Sequence, residues 1–175
     1  KLLLSDHVSR CISLEQHGFV RGRSIQGTVV LAHEMIRDIN LKCHGSNMSF
    51  KLDINKAYDR MEWGFIIRIL RGMGLSSGVV DILFRCFSSA WMSVSYMGKT
   101  HGLFKTARGL RQGDPISPTL FILMQDSLSR LVKKKISMGN ILPFRRRMGH
   151  TLISHLMFVD DSLFSLMIIL DRLVV

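Results

Sequence analysis

Two adjacent carboxylates, Asp160 and Asp161, lie between two apolar runs near the end of the chain, at residues 152–159 and 163–170. Apolar runs of this length, joined by a short polar break, predict two buried strands connected by a tight turn. Successive side chains of a strand point to opposite faces, so neighbouring carboxylates can approach one ion only where a turn breaks the pleat. We therefore expect the pair at a hairpin tip.

A charged pair held rigidly against an apolar core needs a counter-charge, and a divalent cation bound by carboxylate oxygens would supply it. The alternative is an ordinary surface turn, because Asp and Ser are common turn residues. The pattern of this stretch alone does not decide between the two interpretations.

A third carboxylate, Asp53, follows the short alternating strand Phe50-Lys51-Leu52. Apolar residues then recur at four-residue intervals and predict a helix that ends at Gly72 and Gly74. The helical positions are Ala57, Met61, Phe65 and Ile69. Asp53 would lie at a strand-to-helix junction, which suits a metal ligand, although Asp is equally suited to be a helix N-cap.

The glycine-punctuated loop at residues 16–24 contains two arginines, Arg21 and Arg23. Guanidinium groups in such a loop can bind phosphate, and the alternative is an exposed connection. Ser24 then predicts the N-cap of an amphipathic helix packed on the sheet. Its expected apolar positions are Ile25, Val29, Ala32, Ile36 and Ile39.

The middle of the chain predicts two more helices and a hairpin. Ser76 opens one helix, and we expect its buried positions to be Val79, Leu83 and Cys86. The hairpin is predicted from two strands, at residues 92–96 and 103–106, joined by a turn at Gly98-Lys99. Ser117-Pro118 caps the other helix. Its apolar stripe is Phe121, Met124, Leu128 and Leu131. The C-terminal end of this helix, which is the negative end of its dipole, contains three lysines: Lys133, Lys134 and Lys135. They are either a solvated helix terminus or, together with Arg145, Arg146 and Arg147, a surface that follows a phosphate backbone.

The chain is strongly basic, with 24 Lys and Arg against 13 Asp and Glu and a formal charge of +11 over 175 residues. In a chain that is 47% hydrophobic, this charge belongs to a folded surface and favours nucleic acid as the partner. The cysteines Cys11, Cys43 and Cys86 predict packed, reduced thiols. No signal peptide or membrane span is expected. The ends of the sequence suggest a piece of a longer protein.

Three stretches in order resemble three successive motifs of reverse transcriptases: FKLDINKAYDRMEW at residues 50–63, GLRQGDPISP at 109–118 and FVDD at 158–161. The resemblance is to non-LTR (LINE-type) retrotransposon polymerases, especially those of plant genomes. The loop GFVRGRSI at residues 18–25 also resembles a segment ahead of the first catalytic motif. The sequence departs from the family pattern at Val159, where the related polymerases more often have Ala.

The resemblance implies an α+β fold, the right-hand polymerase palm, in which an antiparallel sheet has helices packed on one face, together with part of the fingers. It also implies that Asp53, Asp160 and Asp161 hold two Mg²⁺ ions, with Mn²⁺ as a substitute, and catalyse nucleotidyl transfer. Tyr58 matches the aromatic gate beneath the nucleotide sugar; from the residues alone it is a core aromatic.

The resemblance further implies that Gln112 and Gly113 lie beside the incoming nucleotide and template, and that Arg111 and Arg23 contact phosphates. It divides the chain into a fingers and palm-side segment (1–47), a palm segment with the first catalytic Asp (48–75), a helix with a fingers-side hairpin (76–113), and the palm helix with the catalytic hairpin (114–175). The upstream fingers and the thumb are expected to be absent.

The function that the resemblance implies is RNA-directed DNA polymerisation, in which deoxynucleotides extend a DNA primer on an RNA template. Two alternatives remain: a catalytically inactive nucleic-acid-binding remnant, and a related enzyme such as an intron maturase or a telomerase-like polymerase. We expect an intracellular protein, acting in the nucleus for target-primed integration or else in the cytoplasm, and no membrane partner. The sequence does not set the oligomeric state.

Overall fold

The computed structural model describes residues 11–40, 46–144 and 154–168. The chain divides into two compact units. The first consists of Lys1–Ile54 and Gln125–Val175, and the second of Asn55–Met124. The predictions for Cys43 and for Arg145, Arg146 and Arg147 fall outside the described residues. None of the described helices is long and apolar enough to cross a membrane.

The first unit is built on an antiparallel sheet whose central strand is β6 (Asp161–Ile168). On one side β6 pairs along its full length with β1 (Ser46–Asp53), from Asp53↔Asp161 to Ser46↔Ile168. It also pairs with β5 (His155–Phe158) and, further along, with the short β4 (Leu142–Pro143). This sheet confirms the predicted hairpin of residues 152–170 wherever those residues are described.

Helix α1 (Ile25–Arg37) has the expected N-cap, Ser24, whose Oγ accepts a hydrogen bond from the Gly27 amide at 3.3 Å. It contacts β5, and a 3-10 helix (Asp38–Asn40) follows it. The predicted apolar face was wrong, however, because Thr28 and Met35 are the buried positions. Of the predicted stripe, Ile25, Val29 and Ile36 are exposed. Thr28, Leu31 and Met35 form a competing stripe at helical spacing, and sequence pattern does not choose between the two.

In the second unit, helix α2 (Trp63–Gly72) begins later than predicted. Residues 55–60 form turns instead of helix, and Lys56 has a φ of 52°, a left-handed conformation that no α-helix continues through. Ala57 is still buried. The helix ends at the predicted glycines, with Gly74 at a φ of 84°.

Helix α3 (Ser77–Ser88) follows Ser76 as predicted, but its buried side is displaced by about one residue. Leu83 is buried as expected, and Val80 and Phe87 replace Val79 and Cys86. Trp63, Phe84 and Phe87 form an aromatic cluster with centroid distances of 5.6 to 5.9 Å. Phe87 takes the buried position in place of Cys86 because its larger ring removes more apolar area from water than a thiol would. Cys11 and Cys86 are free and exposed, so the prediction of packed thiols was wrong for both.

The predicted hairpin is present as β2 (Trp91–Tyr96) and β3 (Lys99–Lys105). The turn is at Met97-Gly98, with φ values of 49° and 73°, which is one residue earlier than expected. Positive φ at both central residues is the geometry that matches the twist of a two-residue hairpin. All residues of both strands are exposed.

Helix α4 (Ser117–Ser137) begins at Ser117 itself, which makes Ser117 the first helical residue and not the cap. All residues from Leu120 to Asp126 are buried, so this part of the helix is covered on every side. Phe121 and Met124 are buried as predicted, whereas Leu128 is half-buried and Leu131 is exposed. The final turn contains Lys134 and Lys135, as the sequence predicted.

Candidate active site

The three candidate carboxylates belong to the first unit and meet at one end of its sheet. Asp53 is the last residue of β1, and Asp161 is the first residue of β6. The two are direct partners in the antiparallel register, which places their Cα atoms about 5 Å apart. Asp160 lies in the turn that joins β5 to β6. The sheet therefore brings together residues that are far apart in sequence.

Sequence reasoning missed Lys51, which lies on the same face of β1 as Asp53 because the two are separated by one residue. Its Nζ is 2.7 Å from Asp161 Oδ1, and both side chains are largely exposed. The hydrogen bond and charge of Asp161 raise the pKa of Lys51, and the charges of Asp53 and Asp160 raise it further. All three carboxylates thus act on the ammonium group of Lys51. The alternation of side chains along β1 places Lys51 on the face of Asp53, and this signal could have identified the lysine from sequence.

The donor set fits divalent cations. Carboxylate oxygens are the ligands that Mg²⁺ prefers, and a few protein ligands suffice because Mg²⁺ retains waters and binds substrate phosphates. The ammonium of Lys51 already occupies a cationic position beside Asp161. In the present side-chain arrangement, the described residues contain no group of three acidic, His or Cys side chains close enough to enclose a metal.

Behind the carboxylates, β5 places a fully buried histidine, His155, against α4. Its Nε2 lies 2.7 Å from Ser129 Oγ and its Nδ1 lies 2.8 Å from Ser154 Oγ. Its ring stacks on Phe164 with centroids 5.7 Å apart. Burial lowers the pKa of His155 and so favours its neutral form, and both ring nitrogens already contact serine hydroxyls inside the core.

Arg23, a predicted phosphate contact, is half-buried in the first unit. Its guanidinium donates to three main-chain carbonyls: that of Ser13 at 2.5 Å, that of Ile12 at 3.1 Å, and that of Gln16. These bonds hold the loop to the segment before it, a structural role that the sequence did not indicate. The phosphate contact stays a prediction.

In the second unit, the ring of Tyr58 stacks on Phe121 with centroids 4.6 Å apart and planes within 9°. The Tyr58 carbonyl accepts the Leu110 amide at 2.9 Å, and Trp63 Nε1 donates to the Gly109 carbonyl at 2.8 Å. Gly109 has a φ of 89°, and a Cβ there would lie 3.0 Å from the Asp59 carbonyl oxygen. The segment containing Tyr58 and the loop leading to Arg111 are therefore packed together.

The remaining predicted residues follow in that loop. Arg111 is exposed and pairs with Asp114 Oδ2 at 3.1 Å, while its Nη2 also donates to the Cys86 carbonyl at 3.0 Å. Asp114 Oδ1 accepts the Ile116 amide at 3.0 Å and so shapes the entry to α4. Gln112 and Gly113 are exposed, and Gly113 has a φ of 88°. Their exposure leaves both accessible to a ligand.

The chain is similar in structure to the telomerase of Candida tropicalis solved with a fragment of telomeric RNA. The TM-score is 0.66 at 14% identity, covering 95% of this chain and 28% of that one. At this identity the likeness shows the fold alone, and it confirms the predicted α+β polymerase fold.

Curated relatives point in the same direction. The chain is 32% identical over 110 residues to the Pol polyprotein of the retrotransposable element R2DM from Drosophila melanogaster, covering 63% of this chain and 10% of that protein. It is 43% identical over 65 residues to an uncharacterised mitochondrial protein of Arabidopsis thaliana, covering 37% of this chain and 53% of that protein. The chain thus spans about a tenth of the first of these relatives and about half of the second.

Residues 1–168 match the family profile described as reverse transcriptase (RNA-dependent DNA polymerase). This match includes all three candidate carboxylates and the Tyr58 to Gly113 region. The chain therefore belongs to the reverse transcriptase family, and its relatives include the Pol polyproteins of non-LTR retrotransposons, as its motifs predicted.

Proposed function

We propose that this chain is the polymerase core of a non-LTR retrotransposon, which transfers nucleotides from deoxynucleoside triphosphates to a DNA primer 3′-hydroxyl on an RNA template. The observation that supports this most strongly is the meeting of Asp53 and Asp161 as cross-strand partners, with Asp160 in the adjoining turn. Copying at a genomic target would place this activity in the nucleus.

The carboxylates act by holding divalent cations in a fixed position. Asp53, Asp160 and Asp161 would hold two divalent cations, which would supply activation of the attacking hydroxyl and charge stabilisation for the departing pyrophosphate. Asp53 and Asp161 contribute oxygens from two hydrogen-bonded strands, so the sheet itself sets their spacing. Asp160 contributes from the turn, and Lys51 releases Asp161 when the cations bind. Because the paired strands set this spacing, positioning is the main source of catalysis in this proposal.

The second unit is proposed to hold the incoming nucleotide. Stacking against Phe121 fixes the ring of Tyr58, which then excludes a ribose 2′-hydroxyl and favours deoxynucleotides. Arg111 is proposed to exchange its Asp114 partner for a triphosphate oxygen, since a guanidinium binds either anion through paired hydrogen bonds. Gln112 and Gly113 border the template and the nucleotide.

The test is single-nucleotide addition to an oligo(dT) primer on poly(A) RNA with Mg²⁺, which needs no processive synthesis. We compare the unmodified chain, Asp160→Asn, and the matched control Asp81→Asn, in which an exposed aspartate of α3 is changed. We expect the unmodified chain and the control to extend the primer, and Asp160→Asn to lose about 100-fold or more in rate.

Binding of the primed hybrid is measured in parallel, in order to separate the two classes of function. If the unmodified chain binds the hybrid but adds no nucleotide, the polymerase proposal fails and a nucleic-acid-binding remnant replaces it. Equal extension by all three proteins would overturn the assignment of Asp160.

A further inference from the structure

We propose that two buried glutamines, Gln16 and Gln125, are positioning residues that fix the main chain of Val159 and thereby direct Asp160 and Asp161. We refer to Gln16 and Gln125 as the glutamine pair. The catalytic consequence rests on the proposed polymerase function, whereas the geometric part stands on the structure of the turn alone.

Val159 needs such a restraint because of its conformation. Its φ is 56°, in the left-handed region that β-branched residues rarely adopt. It immediately precedes Asp160 and Asp161, so a change in its φ would swing both carboxylates away from Asp53. A strained residue at this place persists only if its surroundings hold it there.

Gln16 holds the amide side of Val159. Gln16 is fully buried, and its Oε1 accepts hydrogen bonds from the Gly18 amide at 2.9 Å and from the Val159 amide at 3.3 Å. Its own main chain is anchored on both sides, since the Met157 amide donates to the Glu15 carbonyl at 2.8 Å and the His17 amide to the Met157 carbonyl at 2.9 Å. The acceptor oxygen is therefore fixed relative to β5.

Gln125 holds the carbonyl side. It lies on α4 with 6% of its surface exposed, and its Nε2 donates to the Val159 carbonyl at 3.2 Å. Both main-chain polar atoms of Val159 are thus bound by side chains from two separate segments of the chain. Two restraints on one residue define its orientation more fully than either could alone.

The approach is close enough to require glycine at position 18. A Cβ on Gly18 would lie 2.6 Å from both the amide nitrogen and Cγ2 of Val159. Main-chain contact at that distance cannot be relieved by rotating a side chain. Gly18 therefore allows the loop to reach the turn and lets Gln16 reach the Val159 amide.

The chemistry of the amide group explains why glutamine suits both positions. An amide supplies an acceptor at Gln16 and a donor at Gln125 without adding charge. A glutamate there would repel Asp160 and Asp161, and a lysine would compete for them as an ion-pair partner. Neutral side chains orient the turn and leave both carboxylates available to cations.

The experiment substitutes Gln16→Met and Gln125→Met, which keep the side-chain length and remove the hydrogen bonds. Ser129→Ala is the matched control, because it removes a buried hydrogen bond to His155 on the same helix as Gln125 without touching Val159. Hydrogen exchange of the Val159 amide and Mn²⁺ affinity are measured for the full chain. We expect Gln16→Met to speed that exchange about 10-fold or more, and both glutamine variants to bind Mn²⁺ about 10-fold more weakly.

A second background separates positioning from general stability. In Val159→Gly the left-handed conformation no longer carries a steric penalty, so Gln16→Met should reduce Mn²⁺ affinity about threefold or less. An equal loss in both backgrounds, or losses no larger than that of Ser129→Ala, would overturn the proposal. If the unmodified chain adds no nucleotide yet shows these differences, the polymerase proposal fails while the positioning role remains.

Discussion

Lys51 shows how a single side chain can tune the carboxylate site. It lies two residues before Asp53 on the same face of β1, and its ammonium contacts Asp161 at 2.7 Å. A monovalent cation there offsets repulsion among Asp53, Asp160 and Asp161. Because the pair is largely exposed and screened by solvent, its contribution to the free energy of unfolding is small. Its main effect is therefore on the charge available to other cations.

Replacing Lys51 should strengthen divalent cation binding. Lys51→Met removes a positive charge that competes for Asp161, and removing a charge at about 4 Å in a solvated setting changes affinity roughly fivefold. We therefore expect Mn²⁺ affinity, measured from the electron paramagnetic resonance signal of free Mn²⁺, to rise about fivefold. Lys134→Met, an exposed lysine of α4, serves as the control. Weaker binding by Lys51→Met would show that the lysine supports the site.

The sequence predicted the positions of some site residues but not the hydrogen-bond partners of others. The positions of Asp53 and Asp161 followed from strand patterns, because a strand end next to a turn is visible in the apolar periodicity. The partners of Arg23 did not, since the carbonyls of Ile12, Ser13 and Gln16 converge only through the path of the folded loop. The sequence identifies the guanidinium group of Arg23, but it does not show which main-chain carbonyls surround that group in the fold.

At the scale of elements, the β5–β6 hairpin contains a buried histidine, His155, whose surroundings favour its neutral form. Burial is the main reason that the pKa of His155 is lowered, and Lys133 lowers it further. Glu15 and Asp126 act in the opposite direction. Because the folded state resists protonation, the unfolded chain binds more protons as pH falls below the ordinary value near 6.5. The stability contributed by neutral His155 is complete above that pH and is lost as pH decreases below it.

Acidification should therefore destabilise the chain through His155. We expect the urea midpoint to fall between pH 7.5 and pH 5.5, and to fall less in His155→Gln, which retains hydrogen-bonding groups but does not titrate. His101→Gln, on the exposed strand β3, is the control and should keep the full pH dependence. An identical decrease in the unmodified chain and His155→Gln would assign the effect to other groups.

Element types were predictable, but the faces they bury often were not. The N-cap at Ser24 and the glycine end of α2 are local signals, and both were confirmed. The buried sides of α1 and α3 were displaced, because each helix has two apolar stripes and only tertiary packing selects one. Exposure of the whole β2–β3 hairpin likewise depends on what surrounds it, which no local pattern records.

For the whole molecule, family membership carried more information than composition. The charge of +11 favours a polyanionic partner but specifies no reaction. Three ordered motifs predicted a reverse transcriptase, and the match over residues 1–168 confirmed that family. The structure divides the chain into two units. The carboxylates meet in the first unit, and Tyr58 packs against the Gly109 loop in the second.

The central claim is that Asp53, Asp160 and Asp161 form one divalent cation site. The most direct test is Mn²⁺ binding by the full chain and by Asp53→Asn, Asp160→Asn and Asp161→Asn, with Asp81→Asn as the matched control. We predict that each site substitution weakens binding about 10-fold or more, since each removes a carboxylate ligand, while the control binds as the unmodified chain does. If the three substitutions bind Mn²⁺ as tightly as Asp81→Asn, these carboxylates do not form a shared site and the account is contradicted.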